Sequence, residues 1–189
     1  MNNVKFLFDL SYGMLVVQTG KGGWRNMEYI VRPYRRGEEQ YVADAHRRLY
    51  PAEYGWGPAF TEYAAKIAVD FAGAQQEGEA LWVAECGGRL IGSVMLCQSG
   101  EAGEGQVRLF LVEPDYRRCG VGSALMKVVL DGAKEMGYTR LMLWSAEPLT
   151  DAIRLYERAG FHITERVKNT EWRPDGDLVY EIKMVKECL

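Results

Sequence analysis

The stretch between Val107 and Met136 constrains the fold more than any other part of the sequence. An apolar run ends at Val112, a Glu-Pro pair follows, and residues 117–122 then open a run of apolar residues at helical spacing. This order predicts a strand that leads through a positively charged, glycine-containing turn into a helix. Because backbone N–H groups at a helix start lack intrahelical partners and carry the positive end of the helix dipole, the turn predicts a phosphate or pyrophosphate site.

The composition limits the kinds of protein in which such a phosphate site is expected. The 189 residues are 48% hydrophobic and 26% charged, with a formal net charge of -3, which indicates one soluble globular domain. A slightly acidic chain without a basic run is not expected to bind nucleic acid, and no apolar stretch is long enough to cross a membrane. Four widely spaced cysteines and only two histidines favour reduced thiols in the cytoplasm and no metal site.

The first 26 residues differ in character from the rest of the chain. Asp9 interrupts an apolar stretch that otherwise resembles a signal peptide, and no small-residue cleavage site follows. A strand pattern begins only after Met27, so we expect an N-terminal extension at 1–26 and the main domain at 27–189. The extension is either an artefact of the chosen start codon or an added hairpin.

Hydrophobic periodicity predicts a mixed α/β fold. The expected order is strand, two helices, three strands, helix, strand, helix and two strands, which gives a mostly antiparallel sheet of about seven strands with four helices. The first helix is expected to span 38–50 and to stop at Pro51. A helix separates the strand at 106–112 from the strand at 139–144, so these two strands should be parallel.

The spacing of the turn distinguishes it from two other phosphate-binding motifs. A P-loop needs G-x-x-x-x-G-K-[ST], but Gly122 is not followed by Lys. A dinucleotide turn needs a third glycine, where this chain has Leu125, and an acidic residue that closes the next strand, which is absent from Leu141 to Trp144. The spacing that matches is [QR]-x-x-G-x-G, filled by Arg117, Gly120 and Gly122.

Two motifs in order carry a resemblance to a known family. The first is V-x-P-x-x-R-x-x-G-x-G from Val112 to Gly122, and the second is L-Y-E-x-x-G-F from Leu155 to Phe161. With both motifs, the chain from about residue 27 to residue 185 resembles the GNAT N-acetyltransferases, which bind acetyl-CoA. The segments 46–50 and 53–56 also look like the acetyltransferase half of bacterial proteins that fuse a MarR-type DNA-binding domain to this fold.

The resemblance implies where acetyl-CoA binds. In the family, a bulge splays the strand before the turn away from its parallel neighbour, so the strand backbone pairs with the pantetheine amides and the turn amides take the pyrophosphate. The acceptor amine enters the resulting gap from the opposite side. The implied cofactor-binding residues are Phe110, Leu111 and Val112 on the strand, with Arg117, Arg118, Cys119, Gly120, Val121, Gly122 and Ser123 in the turn and the helix start.

The resemblance also implies catalytic roles. Acetyl transfer needs an unprotonated amine, a polarised thioester carbonyl and a proton for the leaving thiolate. Tyr156 lies where the family's tyrosine gives that proton, and the backbone N–H of Val112 is the expected polariser. For a general base the sequence offers Glu113 or Glu147, each just past a strand end, although a water relay or an amine that arrives neutral would serve equally.

Alternatives stay open for one pantetheine contact and for one cluster of aromatic residues. The family commonly has an Asn that contacts the pantetheine seven residues before the tyrosine, but this chain has Leu149, and Ser145 or Thr150 could replace the lost contact. A cluster of aromatic residues either packs the first two helices together or forms a wall of the acceptor site. Its members are Tyr50, Tyr54, Trp56 and Phe60.

The expected function is that of an acetyl-CoA-dependent N-acetyltransferase. We expect direct attack by a primary amine of a small molecule or peptide in a ternary complex, without a covalent enzyme intermediate. The alternative is a non-catalytic module that senses or binds acyl-CoA. A homodimer is also possible by the resemblance, because the exposed final strands often pair in this family.

Overall fold

One mixed sheet carries the fold, and helices pack on both of its faces. The computed structural model describes residues 4–9, 14–19 and 27–188. Within these ranges the strand order is β1-β2-β3-β4-β5-β6-β7-β9-β8. The strands are β1 Val4–Asp9, β2 Met14–Thr19, β3 Glu28–Pro33, β4 Ala80–Cys86, β5 Arg89–Gln98, β6 Glu104–Val112, β7 Arg140–Ala146, β8 His162–Asn169 and β9 Val179–Glu187. The helices are α1 Glu39–Tyr54, α2 Pro58–Ala74, α3 Val121–Glu135 and α4 Thr150–Arg158.

The predicted fold class is confirmed. The seven expected strands are β3 to β9, and all neighbouring strands pair antiparallel except β6 and β7, which pair parallel. The four expected helices are present among the described residues. A helical crossover between β6 and β7 explains their parallel direction, because only a long connection can return the chain to the same end of the sheet.

Two further strands lie within the predicted N-terminal extension. β1 and β2 pair antiparallel, and β2 pairs in turn with β3, so they lengthen the sheet at that edge. Residues 1–3, 10–13 and 20–26 of the extension lie outside the described residues. The domain boundary at Met27 and the origin of the extension stay predictions.

The expected end of the first helix at Pro51 is wrong. Helix α1 continues through Pro51 to Tyr54 and ends at Gly55, whose φ of 68° is left-handed. The N–H of Gly55 donates to the carbonyl of Pro51 at 3.0 Å. A proline in the last turn removes only one hydrogen bond of the helix, so a glycine that closes the helix decides where it ends.

The sheet has two covered faces with separate cores. Helices α3 and α4 pack on one face, where Leu125 and Tyr156 share a buried cluster with Leu143 of β7. Helices α1 and α2 pack on the other face, where Val42 contacts a cluster that includes Met95 of β5. Successive residues of a strand point to opposite faces, so each strand supplies side chains to both cores.

The parallel pair separates part of the way along its length. β6 and β7 pair from Glu104 with Arg140 as far as Val107 with Leu143, although both strands continue further. The cause is a bulge in β6, where the register with β5 shifts and Leu109 has a φ of 50°. A bulge bends its strand and ends regular pairing. The predicted splayed pair is therefore confirmed, and we call the space beyond Val107 the strand gap.

Candidate active site

The glycine turn, residues 117–122, connects the end of β6 to α3. Gly120 has a φ of 87° at the N-cap of the helix, and Arg118 before it has a φ of 62°. A non-glycine residue in this region is strained, and such strain is concentrated at functional sites. The first N–H groups of α3 therefore point out of a tight turn, which is the geometry of an anion site.

Gly122 permits close packing at the start of α3. A Cβ atom added at this residue would lie 3.3 Å from Cδ2 of Leu155 in α4 and 3.8 Å from the ring of Phe110. Phe110 belongs to the splayed part of β6. Glycine at 122 therefore allows the start of α3 to pack closely against α4 and β6.

The two arginines of the turn differ in their surroundings. The Arg117 side chain donates from Nε to the carbonyl of Val112 at 3.0 Å and from both Nη atoms to the carboxylate of Glu53 at 2.7 Å each. Hydrogen bonds to Glu53 raise the pKa of Arg117. The Arg118 side chain is 82% exposed and lies 3.5 Å from Asp151. Of the two guanidinium groups, that of Arg118 is the more exposed to solvent.

Tyr156 lies beside the splayed part of β6. Its ring packs edge-on against Phe110, with the ring centroids 5.7 Å apart, and against Phe161 at 6.2 Å. The residue is 6% exposed, and burial, followed by the electrostatic interaction with Tyr50, raises the pKa of its hydroxyl above the ordinary value. The hydroxyl is therefore protonated at neutral pH and can act as a donor.

The two candidate bases stand at the ends of the diverging strands. Glu113 follows β6, and its Oε1 accepts from Arg48 at 2.6 Å and from the Tyr41 hydroxyl at 3.3 Å. Glu147 follows β7 and pairs with Arg166. Each carboxylate already has an arginine partner, so each is held in place but only partly available to a substrate proton.

Ser145 is the side chain whose state points most directly to a ligand. It lies on β7 beyond the last residue paired with β6, and its Oγ is buried without a hydrogen-bond partner among the described residues. Its neighbour on β9 is Ile182, which belongs to the core under α3 and α4. A buried unsatisfied hydroxyl costs about 1–3 kcal/mol, so a ligand amide in the strand gap would relieve this cost.

Leu149, which stands where the family commonly has an Asn, has no polar side chain to offer a ligand. Leu149 precedes α4 without a side-chain cap, and Thr150 is exposed. Ser145 therefore fits the pantetheine amides better than Thr150 does. The hydroxyl of Ser145, which has no partner among the described residues, and the anion geometry of the turn both fit a ligand that carries amide and phosphate groups, as acetyl-CoA does.

The aromatic cluster packs the α1–α2 connection against the loop between β8 and β9. Tyr50, Trp56 and Phe60 are in mutual contact, with centroids 4.5–5.2 Å apart, and Trp172 joins them at 4.7 Å from Trp56. The N–H of Gly57 also donates to the carbonyl of Trp172 at 2.6 Å. The packing interpretation of this cluster is supported, and its use as an acceptor wall stays a prediction. No pattern in the sequence pointed to Trp172.

A cavity of about 480 Å³ adjoins the aromatic cluster. It opens between the end of α1, the loop before α4 and the loop between β8 and β9. We call it the loop cavity, and the side chains that matter for its chemistry are Glu53, Tyr54, Trp56, Pro148, Arg173 and Leu178. The sequence analysis missed Glu53 and Arg173, because a charged residue is ordinary both in the last turn of a helix and in a polar loop.

Neither a metal site nor a membrane-spanning helix is found in the part of the chain that the structure describes. No group of three or more His, Cys, Asp or Glu residues there could hold a metal ion. No helix within the same ranges is long and apolar enough to span a membrane.

The strand gap, the glycine turn and Tyr156 on α4 match the arrangement that the sequence resemblance implied. Comparison with known sequences gives the family. The profile of the acetyltransferase (GNAT) family matches residues 33–161, and the chain belongs to this family.

Individual relatives cover only part of the chain. N-acetyltransferase family 8 member 2 of Rattus norvegicus is 37% identical over 87 residues, which are 44% of this chain and 38% of the relative. N-acetyltransferase 8 of the same organism is 34% identical over 111 residues, which are 56% of this chain and 50% of the relative. The matches thus span half or less of the length of these two relatives.

A solved structure confirms the fold. An acetyltransferase of Salmonella typhimurium, determined with its cofactor acetyl-CoA, superposes with a TM-score of 0.66 at 15% identity and covers 84% of this chain and 93% of its own. At this level of identity the likeness concerns the fold alone.

Proposed function

We propose that the protein is an acetyl-CoA-dependent N-acetyltransferase that acetylates a primary amine by direct attack in a ternary complex. The observation that carries the proposal is the strand gap beyond Val107 and Leu143, with Tyr156 packed against its β6 side. A gap in a sheet is costly unless a ligand uses the free backbone groups, because unpaired buried N–H and C=O groups are destabilising.

The residues that would hold acetyl-CoA follow the path from the gap to the turn. The backbone of Phe110, Leu111 and Val112 has its β7 side free of strand pairing and is available to the pantetheine amides. The N–H groups of residues 118–123 provide the anion site for the pyrophosphate. Arg117 contributes by fixing the carbonyl of Val112 rather than by reaching the phosphates with its own side chain. Acetyl-CoA supplies the acyl group as a thioester.

The chemistry assigned to the chain consists of hydrogen bonds and two proton transfers. The N–H of Val112 donates to the thioester carbonyl oxygen while the amine nitrogen forms the new C–N bond and the C–S bond breaks. Tyr156 gives its hydroxyl proton to the departing sulfur. Glu113 or Glu147, directly or through a water, receives the proton that the amine loses. Proton return to Tyr156 completes the cycle.

One observation favours the alternative of a non-catalytic acyl-CoA-binding module. Glu53, Glu113 and Glu147 all stand near the gap, and each pairs with an arginine. A base that must first leave its arginine is less effective, so the assignment of catalysis depends on Tyr156.

The test is the Tyr156→Phe variant, assayed by release of free thiol from acetyl-CoA with a panel of amines. We expect kcat to fall about 100-fold, the usual contribution of a general acid, with unchanged thermal stabilisation by acetyl-CoA. Tyr138→Phe is the matched control, because it also removes a tyrosine hydroxyl, one that donates to Gly78 far from the gap. Equal activity of both variants would contradict the role of Tyr156, whereas stabilisation of the wild-type protein by acetyl-CoA without thiol release on any amine would favour the non-catalytic module.

Several finer expectations remain part of the proposal. The acceptor is a small molecule or a peptide amine. A cytoplasmic location, a homodimer and a special likeness to the acetyltransferase half of MarR fusion proteins stay predictions.

A further inference from the structure

Glu53 is the carboxylate that links the loop cavity to the end of β6. It lies in the last turn of α1, and both of its oxygens accept from Arg117 at 2.7 Å. The same guanidinium donates from Nε to the carbonyl of Val112 at 3.0 Å. A two-point pair of this kind fixes the orientation of a carboxylate as well as its position. One arginine therefore holds Glu53 at a set distance from the strand end where the thioester is expected.

Glu53 retains hydrogen-bonding capacity toward the loop cavity. An ionised carboxylate has about four lone-pair sites; Arg117 occupies one on each oxygen, and the Tyr54 side chain also hydrogen-bonds to Glu53, so the capacity is used only in part. The side chain is 23% exposed and lines a cavity of about 480 Å³, which is within the usual size of small-molecule sites. A ligand N–H group can therefore reach Glu53 without breaking its pair with Arg117.

The remainder of the wall is apolar where it is exposed. Leu178 is 46% exposed although it is a large hydrophobic residue, and Tyr54, Trp56 and Pro148 complete this side. Convergence of a few polar groups with an apolar wall is typical of sites that orient a ligand by one polar end. The apolar wall suits an aromatic or aliphatic ligand body.

The positive charge in the wall is already neutralised. Arg173 donates to Asp175 from Nε at 3.0 Å and from Nη2 at 2.6 Å, and it also lies 3.3 Å from Asp177. The hydrogen bond with Arg173 lowers the pKa of Asp175 to about 2. A ligand carboxylate that approached Arg173 would meet two aspartates, and like charges placed together are unfavourable.

We propose that the loop cavity receives the acceptor, that the acceptor is a primary amine on an aromatic or aliphatic body without a carboxylate, and that Glu53 determines this specificity. Glu53 accepts from the incoming amine group and delivers it to the end of β6. The proposal rests on the N-acetyltransferase function and names the substrate class of that site.

The first experiment compares three amines at the wild-type protein. Phenethylamine and phenylalanine differ by one carboxylate, and spermidine is an amine without an apolar body. Binding to the CoA-loaded protein is measured by calorimetry, and thiol release from acetyl-CoA is measured in parallel. We expect phenethylamine to bind at least about tenfold more tightly than either of the others, since misplaced charge and lost apolar contact each cost this much.

The outcomes separate the two proposals. Equal or tighter binding of phenylalanine or spermidine overturns the proposed acceptor class. Binding in the expected order without thiol release supports the acceptor class and contradicts the proposed catalytic function.

The second experiment changes Glu53 itself. In Glu53→Gln we expect KM for phenethylamine to rise about tenfold while KM for acetyl-CoA changes less than about twofold, because only the acceptor meets this carboxylate. Glu62→Gln is the matched control, since Glu62 also pairs at two points with an arginine, Arg47, at 2.9 and 2.8 Å on the α1–α2 surface. An equal rise in both KM values, or the same change in the control, overturns the role of Glu53.

A third variant keeps the proposal testable where Glu53→Gln is poorly folded. Leu178→Arg adds an unpaired positive charge at an exposed position of the cavity wall. We expect the preference for phenethylamine over phenylalanine to shrink at least about fivefold. An unchanged preference contradicts the assignment of the loop cavity to the acceptor.

Discussion

The cofactor side and the acceptor side of this protein are built in different ways. The cofactor side is one continuous piece of chain, in which the bulge at Leu109, the turn and the start of α3 follow one another. The acceptor side brings together the end of α1, the loop before α4 and the loop between β8 and β9. The first side presents backbone groups, whereas the second presents side chains. Backbone geometry can be shared by a whole family, while distant side chains can differ in each member.

Arg117 is where the two sides meet. Its place in the glycine turn belongs to the motif of the cofactor side, yet its Nη atoms bind Glu53 on the acceptor side. Its Nε also donates to the carbonyl of Val112, so the same side chain contacts both sides.

The first prediction is a loss of stability at acidic pH that originates in a buried residue of α1, on the acceptor side. His46 is buried in α1, stacks on Tyr50 at 5.4 Å and bonds through Nδ1 to the carbonyl oxygen of Val42 at 2.7 Å. Burial lowers the pKa of His46 from the ordinary value of 6.5 to about 4. Below pH 6.5 His46 is protonated in the unfolded chain but stays neutral in the folded chain, so the free energy of unfolding decreases as the pH falls toward 4.

This acid sensitivity can be measured by chemical denaturation between pH 7.5 and pH 5. We expect the free energy of unfolding to fall by about 2 kcal/mol from this group, with a smaller fall in His46→Gln. His162→Gln is the control, because His162 is exposed on β8. If both variants show the wild-type slope, the loss of stability arises elsewhere and the acceptor side is not its source.

The second prediction addresses the cofactor side. Gly122→Val places a branched side chain where even a Cβ atom lies 3.3 Å from Leu155. We expect KM for acetyl-CoA to rise about twentyfold while KM for the amine stays within about twofold, since the added atoms fill the path between α3 and α4. Gly73→Val in α2, where nothing lies within 4 Å, is the matched control. An equal effect on both substrates would contradict the separation of the two sides.

The same contrast explains what the sequence could predict. The turn was predictable because its spacing lies within a short segment, where a local rule connects residue types to backbone geometry, whereas the role of Tyr156 came from the family resemblance and stays a prediction. The splayed pair followed from family resemblance, and its bulge at Leu109 carries no local signal, since leucine at positive φ is not a sequence preference. The end of α1 was wrong because Gly55 outweighed Pro51.

The acceptor side was not predictable in the same way. Glu53 and Arg117 are 64 positions apart, and the contact of Trp56 with Trp172 spans a still longer separation. Such pairs form only when the sheet brings its loops to one end, and nothing in either local segment indicates the partner. The sequence predicted that the aromatic residues form a cluster, but no local pattern predicted that the loop after β8 packs against them.

The smallest expected effect concerns the single orphaned hydroxyl in the strand gap. Replacing Ser145 with Ala removes a buried Oγ that has no partner among the described residues. The free protein should become no less stable, because an unsatisfied polar atom is lost with little change in volume. The complex should weaken, because the hydroxyl is expected to bond a pantetheine amide, and a bond of this kind contributes about 1 kcal/mol, or about fivefold in affinity.

A substitution that leaves the free protein no less stable but weakens the complex distinguishes a ligand contact from a packing role. Thermal unfolding of Ser145→Ala is measured with and without acetyl-CoA, and the expected result is an unchanged or raised midpoint alone and a smaller rise with the ligand. Ser93→Ala is the control, because the buried Ser93 hydroxyl already donates to the carbonyl of Leu109 at 2.9 Å, so its loss should destabilise the free protein instead. A Ser145→Ala protein that loses stability without ligand and keeps the full ligand shift would assign this hydroxyl to the core, and Leu149 would then leave the cofactor side with one polar contact fewer than the family pattern.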